Sequence, residues 1–158
     1  MCDGLLVMNE DKKFMKEAIK EANKALLIDE VPVGCVIVHN NKIIARGYNK
    51  REKEQDSTSH AEINAIRKAS KKINNWRLCD MDIYVTVEPC IMCAGAIMWS
   101  RFRRVIYGAK DPKGGALGTS INVFNTPNIN HHPEIISGVL EEECAAIIKN
   151  YFKAKRAK

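Results

Sequence analysis

Two periodicities alternate along the chain, and this limits the fold more than any other feature. Phe14, Met15, Ala18, Ile19, Ala22, Ala25 and Leu26 recur every three or four residues between lysines and glutamates, the stripe of an amphipathic helix. Cys35-Val36-Ile37-Val38 and Ile43-Ile44-Ala45 then flank a polar His39-Asn40-Asn41 turn and read as a hairpin. A second helical pattern follows in Ile63, Ala65, Ile66 and Ala69 and closes on Lys71-Lys72, with Thr58 and Ser59 offering N-cap oxygens. Met81 to Val87 is a β-rich apolar run, and Pro89 suits the first turn of a helix begun by Cys90 and Cys93. Arg104 to Ala109 reads as a further strand, and Leu140, Cys144, Ile147 and Tyr151 line a last helix that ends in lysines and Arg156. The order α-β-β-α-β-α-β predicts an α/β fold: a three-layer α/β/α sandwich on a single mixed sheet of about five strands, antiparallel first and parallel later.

A chain of 158 residues is expected to form one domain over 1–158, with residues 1–7 read as a disordered extension. With 46% hydrophobic and 28% charged residues, wholesale disorder is excluded. No apolar run approaches the roughly 20 residues that span a bilayer, so a cytoplasmic protein is expected. A net charge of +6 suits a polyanionic partner. Two of the six cysteines form a Cys-x-x-Cys pair and the rest are scattered among apolar neighbours, which favours reduced thiols over a disulfide framework.

The chemistry concentrates in His60-Ala61-Glu62 and Pro89-Cys90-Ile91-Met92-Cys93. Zinc prefers imidazole and thiolate, and catalytic zinc commonly has three protein ligands and one position for water. His60, Cys90 and Cys93 supply such a set. Two cysteines three apart at a helix start project to one side, where the positive helix end favours thiolate. Glu62 beside a metal-activated water could take its proton and pass protons to a ring nitrogen and a leaving amine. A regular helix would point His60 and Glu62 apart, so His60 must sit at an irregular helix entrance. Taken alone, Cys-x-x-Cys also fits a redox pair or core thiols, and a structural zinc would need Cys79, His131 or His132 as a fourth ligand. The combination matches the zinc deaminase signature.

These motifs, with Val31-Pro32-Val33-Gly34, Gly47-Tyr48-Asn49, Tyr84-Val85-Thr86-Val87-Glu88, Cys93-Ala94-Gly95-Ala96 and Tyr107-Gly108-Ala109-Lys110-Asp111-Pro112-Lys113-Gly114-Gly115, resemble the bacterial tRNA-specific adenosine deaminases, of the cytidine deaminase-like fold. The resemblance covers nearly the whole chain. It implies zinc-dependent conversion of adenosine to inosine at the wobble position of a tRNA anticodon, with one Zn2+ per subunit. It also implies a homodimer that contacts the anticodon stem-loop across the subunit boundary. Asn49 would bond the flipped-out base, with the backbone at Ala61 and Glu88 touching water and amino group. Lys113, Phe152, Lys153 and Arg156 would meet RNA, through cations for phosphate and an aromatic for stacking. The chain departs from its relatives at Phe124-Asn125-Thr126-Pro127, which lacks the histidines some of them have, and at His132-Pro133, where an arginine is frequent. A deaminase of free guanine or cytosine would share the zinc chemistry, and an idle RNA-binding subunit would share the metal but have no use for Glu62.

Overall fold

The computed structural model describes residues 2–157. Its elements are α1 (Cys2–Leu27), β1 (Gly34–His39), β2 (Lys42–Tyr48), α2 (Arg51–Glu54), α3 (Ala61–Ile73), β3 (Asp82–Val87), α4 (Ile91–Trp99), β4 (Arg104–Ala109), β5 (Glu134–Ile136) and α5 (Glu141–Arg156), with a 3₁₀ turn at Val123–Asn125. One sheet runs in the order β2-β1-β3-β4-β5. β1 pairs antiparallel with both β2 and β3, while β3–β4 and β4–β5 are parallel. Asn40 and Asn41 take φ of 50° and 63°, left-handed at both centres, which is the tight turn that joins β1 to β2 without splaying them.

Alternation along the strands sends side chains to two cores. Cys35, Ile37, Ile83, Val85 and Val105 pack with Ala61, Ala65 and Ala69 of α3 and Ala94 and Ile97 of α4. Val36, Val38, Tyr84 and Ile106 pack on the opposite face with Phe14, Met15 and Ala18 of α1 and Cys144 of α5. Helices thus cover both sides of one mixed sheet, as expected. Away from the strand ends that carry the chemistry, Arg104 is buried among Asp11, Asp82 and Tyr84, donating to Asp82 Oδ2 at 2.7 Å and to Asp11 Oδ1 at 3.0 Å.

Several details differ from the sequence reading. α1 begins at Cys2, so residues 2–7 of the expected extension are its first turns; Met1 lies outside the described residues. The short α2 and β5 were not foreseen as located elements. Thr58 and Ser59 do not cap α3: its N-cap is His60, Thr58 Oγ1 donates to Asp56 Oδ1 at 2.7 Å, and buried Ser59 bonds Glu54 and Asn64.

Candidate metal centre and active site

β2 leads to α3, and β3 leads to α4, and both helices start at the same end of the sheet. β2 can lie directly on α3 because residue 47 is glycine: a Cβ there would stand 2.4 Å from the Ala61 carbonyl oxygen and 2.7 Å from the Ala65 nitrogen. That contact carries the entrance of α3 to the sheet edge. His60 caps α3 in extended conformation, φ −82° and ψ 158°, and Cys90 caps α4 in the same way, φ −74° and ψ 176°. Because His60 is extended and not helical, its ring and the Glu62 carboxylate escape the opposition that a regular helix would impose. Cys93, three residues into α4 from the cap, lies over the same turn as Cys90.

His60 Nδ1 stands 3.6 Å from the sulfurs of both Cys90 and Cys93. Tetrahedral zinc with bond lengths near 2.0 Å to nitrogen and 2.3 Å to sulfur would separate nitrogen and sulfur by about 3.5 Å, so the spacing fits that ion. Among the described residues these three form the group whose ligand atoms all lie within 4.8 Å of one another. Cys79 is exposed and His131 Nε2 is 2.6 Å from the Phe102 carbonyl oxygen, and neither these nor His132 joins the group. The donor set is therefore three-sided: among the described residues no fourth His, Cys, Asp or Glu joins it.

The electrostatics match a cation site. The Cys93 thiol and the His60 ring beside it pull Cys90 down to about 4, a thiolate at neutral pH, while Cys93, bonded to that thiolate and buried, is pushed up and keeps the shared proton. The Cys90 thiolate holds the His60 imidazole above its ordinary value. Burial raises the Glu62 carboxyl to about 7, with the Cys90 charge adding to it. A cation at the cradle would favour the thiolates of Cys90 and Cys93, the carboxylate of Glu62 and the neutral imidazole of His60. His60, Ala61, Glu62, Asn49, Glu88 and Cys90 border one cleft of about 270 Å³.

Comparison with known proteins agrees with this architecture. The sequence matches the MafB19-like deaminase family over residues 8–156. It is 50% identical to the tRNA-specific adenosine deaminase of Bacillus subtilis over 96% of this chain and 94% of that one. It is 45% identical to that of Agrobacterium fabrum over 94% and 98%. A solved structure from work on A-to-I editing by deaminases at the wobble position of transfer RNA superposes with a TM-score of 0.83 at 46% identity, covering 85% of this chain and 98% of the other. The chain belongs to the tRNA-specific adenosine deaminases.

In this deaminase, Glu88 does more than its backbone suggested. Its buried carboxylate accepts the N–H groups of Asp111 at 3.3 Å, Leu117 at 3.0 Å and Thr119 at 3.2 Å, and so folds the loop after β4 against the cleft. These partners come 23 to 31 residues later, so no local pattern announces the contact. Lys113, Phe152 and Arg156 border one groove of about 660 Å³, which shares Asp111 and Phe152 with the cleft; Lys110 and Lys149 border it too, and Lys153 does not. The departing loop holds buried Phe124, which packs into the core. Arg104 is internal, and Arg101 has its guanidinium 5.8 Å from the Trp76 ring and 5.5 Å from that of Trp99.

Proposed function

We propose that this deaminase hydrolyses adenosine to inosine at the wobble position of a tRNA anticodon, with one zinc ion per subunit held by His60, Cys90 and Cys93. The observation that carries the reading is the three-sided His60–Cys90–Cys93 cradle with buried Glu62 on the same cleft. A zinc ion bound there supplies Lewis-acid activation of the attacking water. Glu62 takes one proton from that water and delivers it to the purine ring nitrogen as the oxygen bonds C6, then moves the remaining proton from that oxygen to the departing amine. The C6–N bond breaks, a C6–O bond forms, and ammonia leaves, so adenosine and water become inosine and ammonia. In support, Glu62 lies one residue past Ala61 in the first turn of α3 and is buried on the cleft that His60 and Cys90 also border. Asn49 supplies a polar contact to the flipped-out base, and the backbone at Ala61 and Glu88 frames the reacting carbon.

Lys113, Phe152 and Arg156, with Lys110 and Lys149, give the cleft a basic extension that an anticodon loop would use and a free base would leave empty. Lys153, exposed near the end of α5, serves as an outer phosphate contact. No helix among the described residues is long and apolar enough to cross a membrane, and a cytoplasmic setting, where tRNA is found, accords with this. Residues 1–158 act as one deaminase domain on this reading, since one sheet underlies both cores.

The enzyme works as a homodimer through α4. This helix, Ile-Met-Cys-Ala-Gly-Ala-Ile-Met-Trp, has no charged residue, yet only its Cys93, Ala94, Ile97 and Met98 are buried in the chain. Ile91 is 64% and Trp99 56% exposed, and a Cβ at Gly95 would meet nothing within 4 Å. A helix apolar all round is normally covered on every side, and a second copy would cover this one. To test the central reading, the zinc-loaded protein is incubated with unmodified total tRNA and the product sequenced. Inosine confined to wobble positions supports it; turnover of free adenosine, guanine or cytosine with no change in tRNA overturns it.

A further inference from the structure

Glu30 lies between α1 and β1, is 1% exposed, and takes no part in the proton transfers above. Its Oε1 accepts the backbone N–H of Glu52 at 3.1 Å and its Oε2 that of Lys53 at 2.9 Å. The remaining N–H of that turn, from Arg51, goes to Asn49 Oδ1 at 3.1 Å. The four-residue α2 is too short to hold itself, and its first three N–H groups are bound by side chains from elsewhere. In return, Asn49 Nδ2 donates to the carbonyl of Val31, the residue after Glu30, at 3.2 Å. Two loops are thereby braced against each other at two points, and Val31, Asn49 and Arg51 all border the cleft.

The brace also decides which way the Asn49 amide faces. A flipped amide would set its NH2 against the Arg51 N–H and its oxygen against the Val31 carbonyl, so only the observed orientation satisfies both neighbours. One amide hydrogen is used by Val31. The other has no protein acceptor among the described residues. Asn49, which borders the cleft, thus keeps one Nδ2 hydrogen to donate, and its complement on a substrate is an acceptor such as an unprotonated purine ring nitrogen.

We propose that Glu30 is a positioning residue for substrate: by holding the Glu52 and Lys53 N–H groups of α2 it keeps Asn49 turned as a donor, so the cleft selects a base with an acceptor at that edge. The inference deepens the function proposed above and rests on it. Glutamine at position 30 would present one oxygen and one NH2 to two N–H groups, so it would satisfy one and oppose the other. A carboxylate, with an acceptor at each tip, is the side chain the geometry requires.

The test compares wild type, Glu30→Gln, Glu30→Asp, Asn49→Ala and the Glu30→Gln/Asn49→Ala double variant with tRNA, reading KM, kcat and zinc content separately. Glu30→Gln is expected to raise KM about tenfold at nearly unchanged kcat, the loss of one charged hydrogen bond's contribution, with zinc retained. The double variant should be no worse than Asn49→Ala, because Glu30 acts through Asn49. Unchanged KM in Glu30→Gln, or multiplied penalties in the double variant, overturns the proposal. If Glu30→Gln does not fold, Glu30→Asp replaces it, shorter but charged, and wild-type KM there is equally fatal. Exchange protection of the Asn49 side-chain amide, read by NMR without substrate, should fall in the Glu30 variants. Should wild type make no inosine in tRNA, the functional reading fails, while the NMR result still decides whether Glu30 holds Asn49.

Discussion

Replacing Glu88 with alanine should loosen the loop from Asp111 to Thr119 and leave the metal cradle intact. The carboxylate holds three backbone N–H groups, and they are not equivalent. Leu117 is buried, so its N–H would lose its partner where water does not readily reach, a cost of about 1–3 kcal/mol. Asp111 and Thr119 lie nearer solvent and can recover water, so each should cost about 1 kcal/mol or less. The sum is roughly 1–5 kcal/mol, which for a chain of this size lowers Tm by about 2–20 °C. Glycine at 115 shows how tightly the carboxylate is seated, since a Cβ there would stand 2.5 Å from Glu88 Oε1. Calorimetry combined with amide exchange would read the effect: Tm falls, Leu117 and Thr119 lose protection, and β3 and α4 keep theirs. Glu88→Gln should fall between, having one acceptor oxygen in place of two. A Tm within about 2 °C of wild type, with Leu117 still protected, would refute the reasoning, because the loop would then be held by something other than Glu88.

Three further outcomes follow from the geometry. Gly47→Ala should destabilise the protein by about 1–3 kcal/mol, since its methyl meets the backbone of α3 and not a movable side chain; thermal unfolding against wild type checks this. Burial pushes the Cys144 thiol from 9.0 up to about 12, so its contribution to stability is complete below pH 9 and is lost as pH rises from 9 through 12; denaturant unfolding across that window should show a slope that Cys144→Ala reduces. Lys113→Ala and Arg156→Ala should each weaken tRNA binding and reduce the dependence of log affinity on log salt by about 1, whereas an unchanged slope would remove that residue from the RNA-facing groove.

How much of this was legible in the chain depended on the range of the interactions involved. The helices α1, α3 and α5 show in the periodicity because each buries one face against the sheet, the inner strands β1, β3 and β4 show as apolar runs because both of their faces are covered, and α4 is marked by Pro89 and the Cys90/Cys93 pair. β5 has three residues, is placed by parallel pairing of Glu134 with Arg104, and carries no period of its own. α2 is likewise built by distant partners, chiefly Glu30. Thr58 and Ser59 have the chemistry of N-caps, but Asp56, Glu54 and Asn64 take their hydroxyls and the cap falls to His60. The His60, Cys90 and Cys93 triad stood out because few roles other than metal binding suit those types at that spacing. The carboxylates of Glu88 and Glu30 did not stand out, since an acid before Pro89 or before Val31 resembles any solvated glutamate until the fold buries it.

The most direct test of the account is to measure zinc content and tRNA inosine formation together in Glu62→Gln. The account predicts zinc at the wild-type level of one ion per chain with inosine formation reduced at least about 100-fold, because the cradle survives and the proton carrier is gone. Inosine formed at the wild-type rate by zinc-loaded Glu62→Gln would contradict it.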